Sequence, residues 1–433
     1  MRLVSTRDPG ATPWTFRDAL FQGLAPDGGL FTPVDVEPLE GSVLRDLRGM
    51  SIGDVAAAVA EHLLGARLGE ARVSALARRS VDFAFPLMPL RVGENVLELF
   101  HGPTLAFKDV GARFMAGAMA ALCGTRVERR TILVATSGDT GGAVAEAFRE
   151  QRNVRVVILF PEGKVSPRQR AQLTVPTESV RAVAVEGAFD DCQRLVKEAF
   201  ADFGLRERYG LTSANSINVG RLLPQVFYHV YGALALGGSA PLFVSVPSGN
   251  LGNLTAGLLA RALGAPIEGF IAATNVNRVF PDYLDTGLVE PRPSVATLSN
   301  AMDVGHPSNL ERIVHMFGGD VDGVRGAVTA SAWTDEETAA CIAEAHEESG
   351  VILDPHTAVG LLALRDFRRA HLDCVGLVMG TAHPAKFPEA VEPVIGRAVP
   401  VPLPLQRALE RTGSVPTIAP RLENLAGLLE ASP

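Results

Sequence analysis

Short, apolar, β-branched runs alternate along this chain with stretches of helical periodicity, and this alternation restricts the available architectures to a few. The runs ENVLELF, TILVAT, VRVVILF, SVRAVAVEG, PLFVSV, EGFIAAT and CVGLVMG predict strands. Between them DVGARFMAGAMAALC closed by Gly124, GGAVAEAFREQ, DCQRLVKEAFADF, NLTAGLLARAL closed by Gly264 and TDEETAACIAEAHEES closed by Gly350 predict helices. Glycine just past the last periodic residue is the expected terminator, and Thr334 with Glu337 makes a capping box. Strand and helix in turn imply right-handed βαβ units, hence an α/β fold of parallel sheets covered by helices on both faces. At 433 residues the chain is long enough for two or three domains. The expected division is an N-terminal segment over 1–95, a smaller α/β unit over 96–225 and a larger α/β unit over 226–433. No internal repeat or low-complexity tract interrupts it.

Composition removes several classes of function. Hydrophobic residues make up 47% of the chain and charged ones 20%, which excludes bulk disorder. A formal charge of −8 leaves no diffuse basic field, so nucleic acid is not an expected partner and any anion must be met locally. Cys123, Cys192, Cys341 and Cys374 lie far apart without a CxxC pair, the pattern of reduced thiols, and a cytoplasmic location follows. The opening MRLVSTRDPGATPW is polar where a secretory signal needs an apolar core. Residues 222–260 contain no Asp, Glu, Lys or Arg, yet Gly237, Gly238, Ser239 and Pro241 split them into a buried helix feeding a buried strand rather than a membrane span. The nine histidines match no metal-ligand spacing, so His101, His356 and His383 are expected to make core hydrogen bonds.

Open parallel sheets bind ligands beyond the carboxyl ends of their strands. Four loops there are rich in small residues: HGPTLAFK, SGDTGG, PSGNLGN and TAHPAKF. PSGNLGN, residues 247–253, runs into a helix start whose N–H groups suit a phosphate without any cation, although a plain strand-to-helix turn uses the same residues. It matches neither GxGxxG nor GxxxxGK[ST]. SGDTGG offers oxygens and N–H groups to a carboxylate, or an ordinary helix cap. Lys108 has apolar flanks and heads a predicted helix; burial and the dipole's positive end both lower an ammonium's pKa. The alternative is a snorkelling surface lysine. A neutral amine attacks carbonyls, and an imine-forming lysine beside a cation-free phosphate loop points to pyridoxal 5′-phosphate.

HGPTLAFKD resembles the cofactor-lysine motif of the threonine synthase family, and the likeness continues in order through TSGDTG, PEGKVSP, NSIN, VPSGNLGNLTAGL, ATLSNAMDV and GTAHPAKF, with GLAPDGGLFTP at the head. It covers residues 3–396. The resemblance implies a fold-type II pyridoxal-phosphate enzyme with two parallel-sheet α/β domains and an N-terminal segment. The implied reaction is a carbon–oxygen lyase step of threonine biosynthesis, converting O-phospho-L-homoserine and water to L-threonine and phosphate. Lys108 is then the Schiff-base lysine, Gly249, Asn250, Leu251, Gly252 and Asn253 surround the cofactor phosphate, and Thr381 partners the pyridine nitrogen. Leu251 stands where many relatives carry Phe, and either fills an apolar spot. The formal glycosylation sequon at Asn253 falls in this loop and is discounted.

On the same footing, Thr136, Ser137, Asp139 and Thr140 are expected at the substrate carboxylate, with the Asp139 side chain turned to the cofactor ring or capping the helix because like charges repel. Lys164, Ser166, Asn218 and Arg221 are expected at the substrate phosphate, with Arg168 and Arg170 as rivals. The expected assembly is a monomer or homodimer. Two other readings stay open: a phospholyase that releases 2-oxobutyrate from the same substrate, and a catalytically silent binding relative.

Overall fold

The computed structural model describes residues 1–10, 12–123, 130–136, 138–151, 153–175, 177–411 and 413–431. Among them thirteen strands form three sheets. In chain order these are β1 (Arg2–Ser5), β2 (Phe31–Val34), β3 (Leu87–Arg91), β4 (Glu94–Glu98), β5 (Arg130–Ala135), β6 (Val154–Pro161), β7 (Val180–Val185), β8 (Leu211–Ser213), β9 (Leu242–Pro247), β10 (Gly269–Thr274), β11 (Val328–Ala332), β12 (Val375–Gly380) and β13 (Thr417–Ile418). β1 and β2 pair antiparallel, with Arg2 opposite Val34. The larger sheet has the order β11-β10-β9-β12-β4-β3, parallel throughout except for β3 at its edge. The smaller sheet is wholly parallel, in the order β13-β7-β6-β5-β8.

Strands such as β6, β9 and β10 are buried along nearly their whole length, which is why they read as continuous apolar runs rather than alternating ones. The Asp335–Ser349 helix carries the expected Thr334–Glu337 capping box and ends at Gly350 in the left-handed conformation. The charge-free segment folds as a buried helix, Val226–Leu236, followed by β9, and no helix among the described residues is long and apolar enough to cross a membrane. The Lys108–Leu122 helix is capped by Cys123, immediately before Gly124, which lies outside the described residues. The DCQRLVKEAFADF stretch is two helices, Phe189–Ala201 and Phe203–Tyr209, because Asp202 leaves helical geometry and caps the second.

Strand pairing distributes the chain differently from the sequential division at 95 and 225. β4, which leads into the lysine loop, pairs with β12 inside the larger sheet. The smaller sheet takes its edge strand β13 from the C-terminal end, and Leu425, Leu428 and Leu429 of the last helix pack on Val183, Leu195 and Leu133. Parallel strands need a crossover, so neighbours in space come from distant sequence, and cuts placed by sequence order cannot follow them.

This topology gathers the four loops. β9, β12 and β4 are adjacent, so the segments leaving their carboxyl ends lie side by side. β8, β5 and β6 are adjacent in the other sheet and bring NSINVGR, TSGDTG and PEGKVSP together. Residues of HGPTLAFK, PSGNLGN, TAHPAKF, TSGDTG and NSINVGR line one cleft, and PEGKVSP stays outside its lining.

Candidate active site

HGPTLAFKD is a stiff turn. Leu105 has φ 59°, a conformation that costs a residue with a Cβ about 1 kcal/mol or more. Several bonds hold it there. The buried Asp109 carboxylate accepts from the Thr104 N–H at 2.9 Å and the Thr104 hydroxyl at 2.6 Å. The Phe107 N–H donates to the Thr381 carbonyl at 2.9 Å, the His383 N–H donates to the Leu105 carbonyl at 3.1 Å, and Ala106 bridges Ala382. Asp109 therefore ends the motif because it closes the turn that starts the helix at Lys108. Lys108 lines the cleft, with its Nζ 4.7 Å from the centre of the Phe107 ring. Burial, with smaller opposing and reinforcing effects of Asp139, Lys386 and Arg221, brings the amine down to about 8.

The cleft, about 110 Å³, is lined by Lys108, Thr136, Asp139, Thr140, Arg221, Gly249 to Asn253 and Thr381. The β9 loop approaches it closely. A Cβ on Gly249 would stand 2.8 Å from the Met302 Cα and 3.0 Å from the Ala301 carbonyl, so only glycine fits. Leu251, also at φ 59°, turns the chain into the Gly252–Ala262 helix, whose first N–H groups face the cleft. Asn250 is fixed by the Ser216 hydroxyl at 2.7 Å and by Asn309, which reaches its carbonyl at 2.8 Å. Asn253 is buried, accepting from the Tyr228 hydroxyl at 2.9 Å and from His229 at 2.8 Å. Burial lowers His229 to about 4, so the ring is neutral and donates through Nε2. Asn253 Nδ2 and Arg221 Nε are buried donors without a protein partner among the described residues. Spare donors, a tight backbone cradle and a depressed amine fit an anionic aldehyde such as pyridoxal phosphate.

Asp139 neither caps its helix nor stands free. Its Oδ1 accepts from the fully buried Lys386 ammonium at 2.7 Å and from Gln169 Nε2 at 2.9 Å. Burial alone would raise this carboxyl; Lys386 and Lys108 outweigh it and hold it well below the usual carboxylate range. A buried carboxylate needs a counter-charge, and this requirement replaces the expected helix cap. Gly138, at φ 148°, lies so close to Gln169 that a Cβ would stand 2.5 Å from it.

The remaining expected residues are divided. Thr136 lines the cleft while its hydroxyl accepts from the Gly138 and Gly141 N–H groups, both at 3.0 Å. Ser137 lies outside the described residues. Asn218 is a helix cap whose side chain is consumed by Leu20, Ser213 and Gly220. Ser166 caps the Pro167–Leu173 helix and donates to the Lys386 carbonyl at 3.3 Å. Lys164 is exposed and away from the cleft lining, and Arg170 is exposed. Arg168 donates to the Ala385 carbonyl. Of the cations considered for a phosphate, Arg221 alone lines the cleft. His356, as expected, makes core bonds: Nδ1 to Asp354 at 2.7 Å, and Nε2 accepting from the Ala301 N–H at 3.1 Å. A larger cavity of about 810 Å³ adjoins the cleft through Ala135, Gln193, Asn215 and Asn250, with the N-terminal segment forming one wall from Gln22 to Leu30.

Lys386, Gln169, Asp354 and Arg312 were not singled out from sequence. Lys386 lies inside the quoted TAHPAKF, but its carbonyl partner, Thr104, is 282 residues away.

A lysine at a helix start facing a glycine-bearing loop between two parallel sheets defines a pyridoxal-phosphate dependent enzyme, and the family model of that description matches residues 96–373. Models for the threonine synthase N terminus and the threonine synthase C-terminal region match residues 2–81 and 357–427. The chain belongs to the threonine synthase family. It is 41% identical to threonine synthase of Haemophilus influenzae over 95% of this chain and 94% of that protein, and 42% identical to that of Escherichia coli over 93% of each. The crystal structure of Escherichia coli threonine synthase superposes with a TM-score of 0.93 at 39% identity, covering 99% of both chains. The PLP-bound threonine synthase from Brucella melitensis gives 0.91 at 38% identity, covering 99% of this chain and 98% of that one.

Proposed function

We propose that this chain converts O-phospho-L-homoserine and water to L-threonine and phosphate, a carbon–oxygen lyase reaction of γ-elimination followed by β-addition. The observation that carries the reading is the Lys108 amine, brought down to about 8, in a cleft shared with the Gly249–Asn253 backbone and Thr381. Bound there, pyridoxal phosphate supplies the electron sink for carbanion chemistry at the substrate's Cα and Cβ.

The chain's own groups do the rest. Lys108 Nζ would hold the cofactor aldehyde, and its amine is the group placed to move protons at the substrate's Cα and Cβ. The N–H groups of Gly249, Asn250, Leu251, Gly252 and Asn253 hold the cofactor phosphate at a helix start. Thr381 meets the pyridine nitrogen with a hydroxyl, a weaker proton source than a carboxylic acid. Thr136, Ser137 and Thr140, with the backbone around them, meet the substrate carboxylate; Asp139, an anion paired with Lys386, shapes the wall and does not contact it. Arg221 takes the substrate phosphate, a role supported by its place in the cleft lining and by its Nε, a buried donor without a partner among the described residues. Ser166 and Asn218 support it indirectly by holding their loops. In this reading the chain works as a monomer or homodimer, and free cysteines suit the cytoplasm.

Product analysis tests this. With O-phospho-L-homoserine the expected yield is threonine and phosphate in equal amounts. Dominant 2-oxobutyrate makes the chain a phospholyase, and a bound cofactor band without turnover makes it a silent relative.

A further inference from the structure

Two lysines and one carboxylate meet at this site, Lys386 and Asp139 buried and Lys108 half-buried, and the reaction uses only one of the lysines. Lys386 is fully buried, on the turn that follows β12, and its ammonium donates to Asp139 Oδ1 at 2.7 Å and to the Thr104 carbonyl at 2.9 Å. Both partners flank Lys108: Thr104 is in the turn that delivers it, and Asp139 shares its cleft. The surroundings lock the pair. Gln169 Nε2 binds the same Asp139 oxygen, Gln172 binds the same Thr104 carbonyl at 3.0 Å, and Ser166 and Arg168 bind the backbone carbonyls of Lys386 and Ala385.

We propose that Lys386 is a positioning residue whose ammonium occupies the Asp139 carboxylate, so that Lys108 has no dedicated counter-ion and keeps a neutral amine for the cofactor aldehyde. A lone buried aspartate beside Lys108 would do the opposite, because an opposite charge within about 4–6 Å stabilises an ammonium by roughly 1–3 pKa units. Lys386 offsets that pull, because its positive charge sits against the carboxylate and opposes the carboxylate's field at Lys108. The other charged groups acting on Lys108 are Arg221, from the Val219–Leu222 helix, and Asp354, whose carboxylate is held by His356 and Thr357 at the start of the Pro355–Ala370 helix. Asp109, on the lysine's own helix, is turned away onto Thr104. None of these pairs with Asp139 as Lys386 does. The direction of the Lys108 shift agrees: Asp139 raises it and Lys386 lowers it.

The proposal rests on Lys108 being the cofactor lysine, which borohydride trapping and peptide mapping check separately. Its own test is the pH dependence of Lys108 acetylation by acetic anhydride in the full-length chain before cofactor is added, read by mass spectrometry, in K386M, D139N, K386M/D139N and the wild type. The midpoint should rise by about one unit or more in K386M and fall in D139N, and in the double variant it should return to within about half a unit of the wild type. K386R, which keeps the charge, should stay near the wild type. A midpoint unchanged between K386M and wild type overturns the proposal. Where K386M does not fold, the comparison is between D139N and the double variant, in which both buried charges are neutral. A midpoint that fails to rise from the first to the second overturns it equally.

Discussion

At the scale of single residues, the site depends on how much of Lys108 is uncharged. Its folded pKa of about 8 lies below the 10.5 of a free lysine, so the neutral fraction grows as pH rises through about 8. Capture of pyridoxal phosphate by the cofactor-free chain should accelerate roughly tenfold per unit below that midpoint and level off above about pH 9. Stopped-flow absorbance from pH 6 to 10 measures this directly, and acceleration continuing past pH 10 would show an ordinary lysine. The linkage has a matching sign. Between about 8 and 10.5 the unfolded chain binds more protons at this group than the folded one, so the cofactor-free protein gains stability from it as pH rises through that window. K108A should lose the borohydride-trapped adduct while keeping its fold, since Asp109 and Thr381, not the lysine, hold the turn. Lys108 was legible because its cues are local: apolar neighbours and a helix start. Lys386 was not, because a lysine earns burial only through partners, and Asp139 and Thr104 reach it from segments far away in sequence.

At the scale of elements, the β9 loop stores conformational strain where a ligand anion is expected. Among the described residues three non-glycine positions have positive φ, and Leu105 and Leu251 are two of them, one in each loop facing the cleft. Gly249→Ala should be costly, because its Cβ meets main-chain atoms of the Ser299–Val304 segment, which cannot rotate away. The expected result is at least about a tenfold loss of cofactor affinity by equilibrium titration, on the order of 1.4 kcal/mol, together with a lower melting temperature of the cofactor-free chain. Equal affinities would mean that the loop does not cradle the phosphate. Elements such as β6 and β10 were readable because burial on both faces leaves an unbroken apolar run. β1, β2, β8 and β13 were not. They are four residues or fewer, β2 contains Pro33, and pairing with strands remote in sequence, rather than local pattern, makes them strands. β11 failed for another reason: VTASA is a half-exposed edge without an apolar run.

At the scale of the whole molecule, one side chain ties three regions into a single body. Arg312 is fully buried with no acidic hydrogen-bond partner among the described residues, and burial brings it to about 9, still cationic near neutrality. Its Nε donates to the Phe31 carbonyl at 3.0 Å, and its terminal nitrogens donate to the carbonyls of Ser216 and Ile217 and to Asn309 Oδ1. Phe31 belongs to the N-terminal hairpin, Ser216 and Ile217 to the loop leaving β8, and Asn309 to the segment that holds the Asn250 carbonyl. The N-terminal segment is therefore fastened at the wall of the larger cavity and, through Ser216 and Asn250, to the cofactor loop. Replacing Arg312 by Met keeps much of the volume but leaves four buried acceptors without their donor, a loss on the order of 3 kcal/mol. Lysine should recover only part of it, since one ammonium cannot span the directions a guanidinium covers. R312M is expected to melt several degrees lower, to be cut first within the N-terminal segment under limited proteolysis, and to bind pyridoxal phosphate more weakly although it never touches the cleft. A lower melting temperature with unchanged cofactor affinity would sever the link through Ser216 and Asn250, leaving Arg312 as a fastener of the N-terminal segment alone.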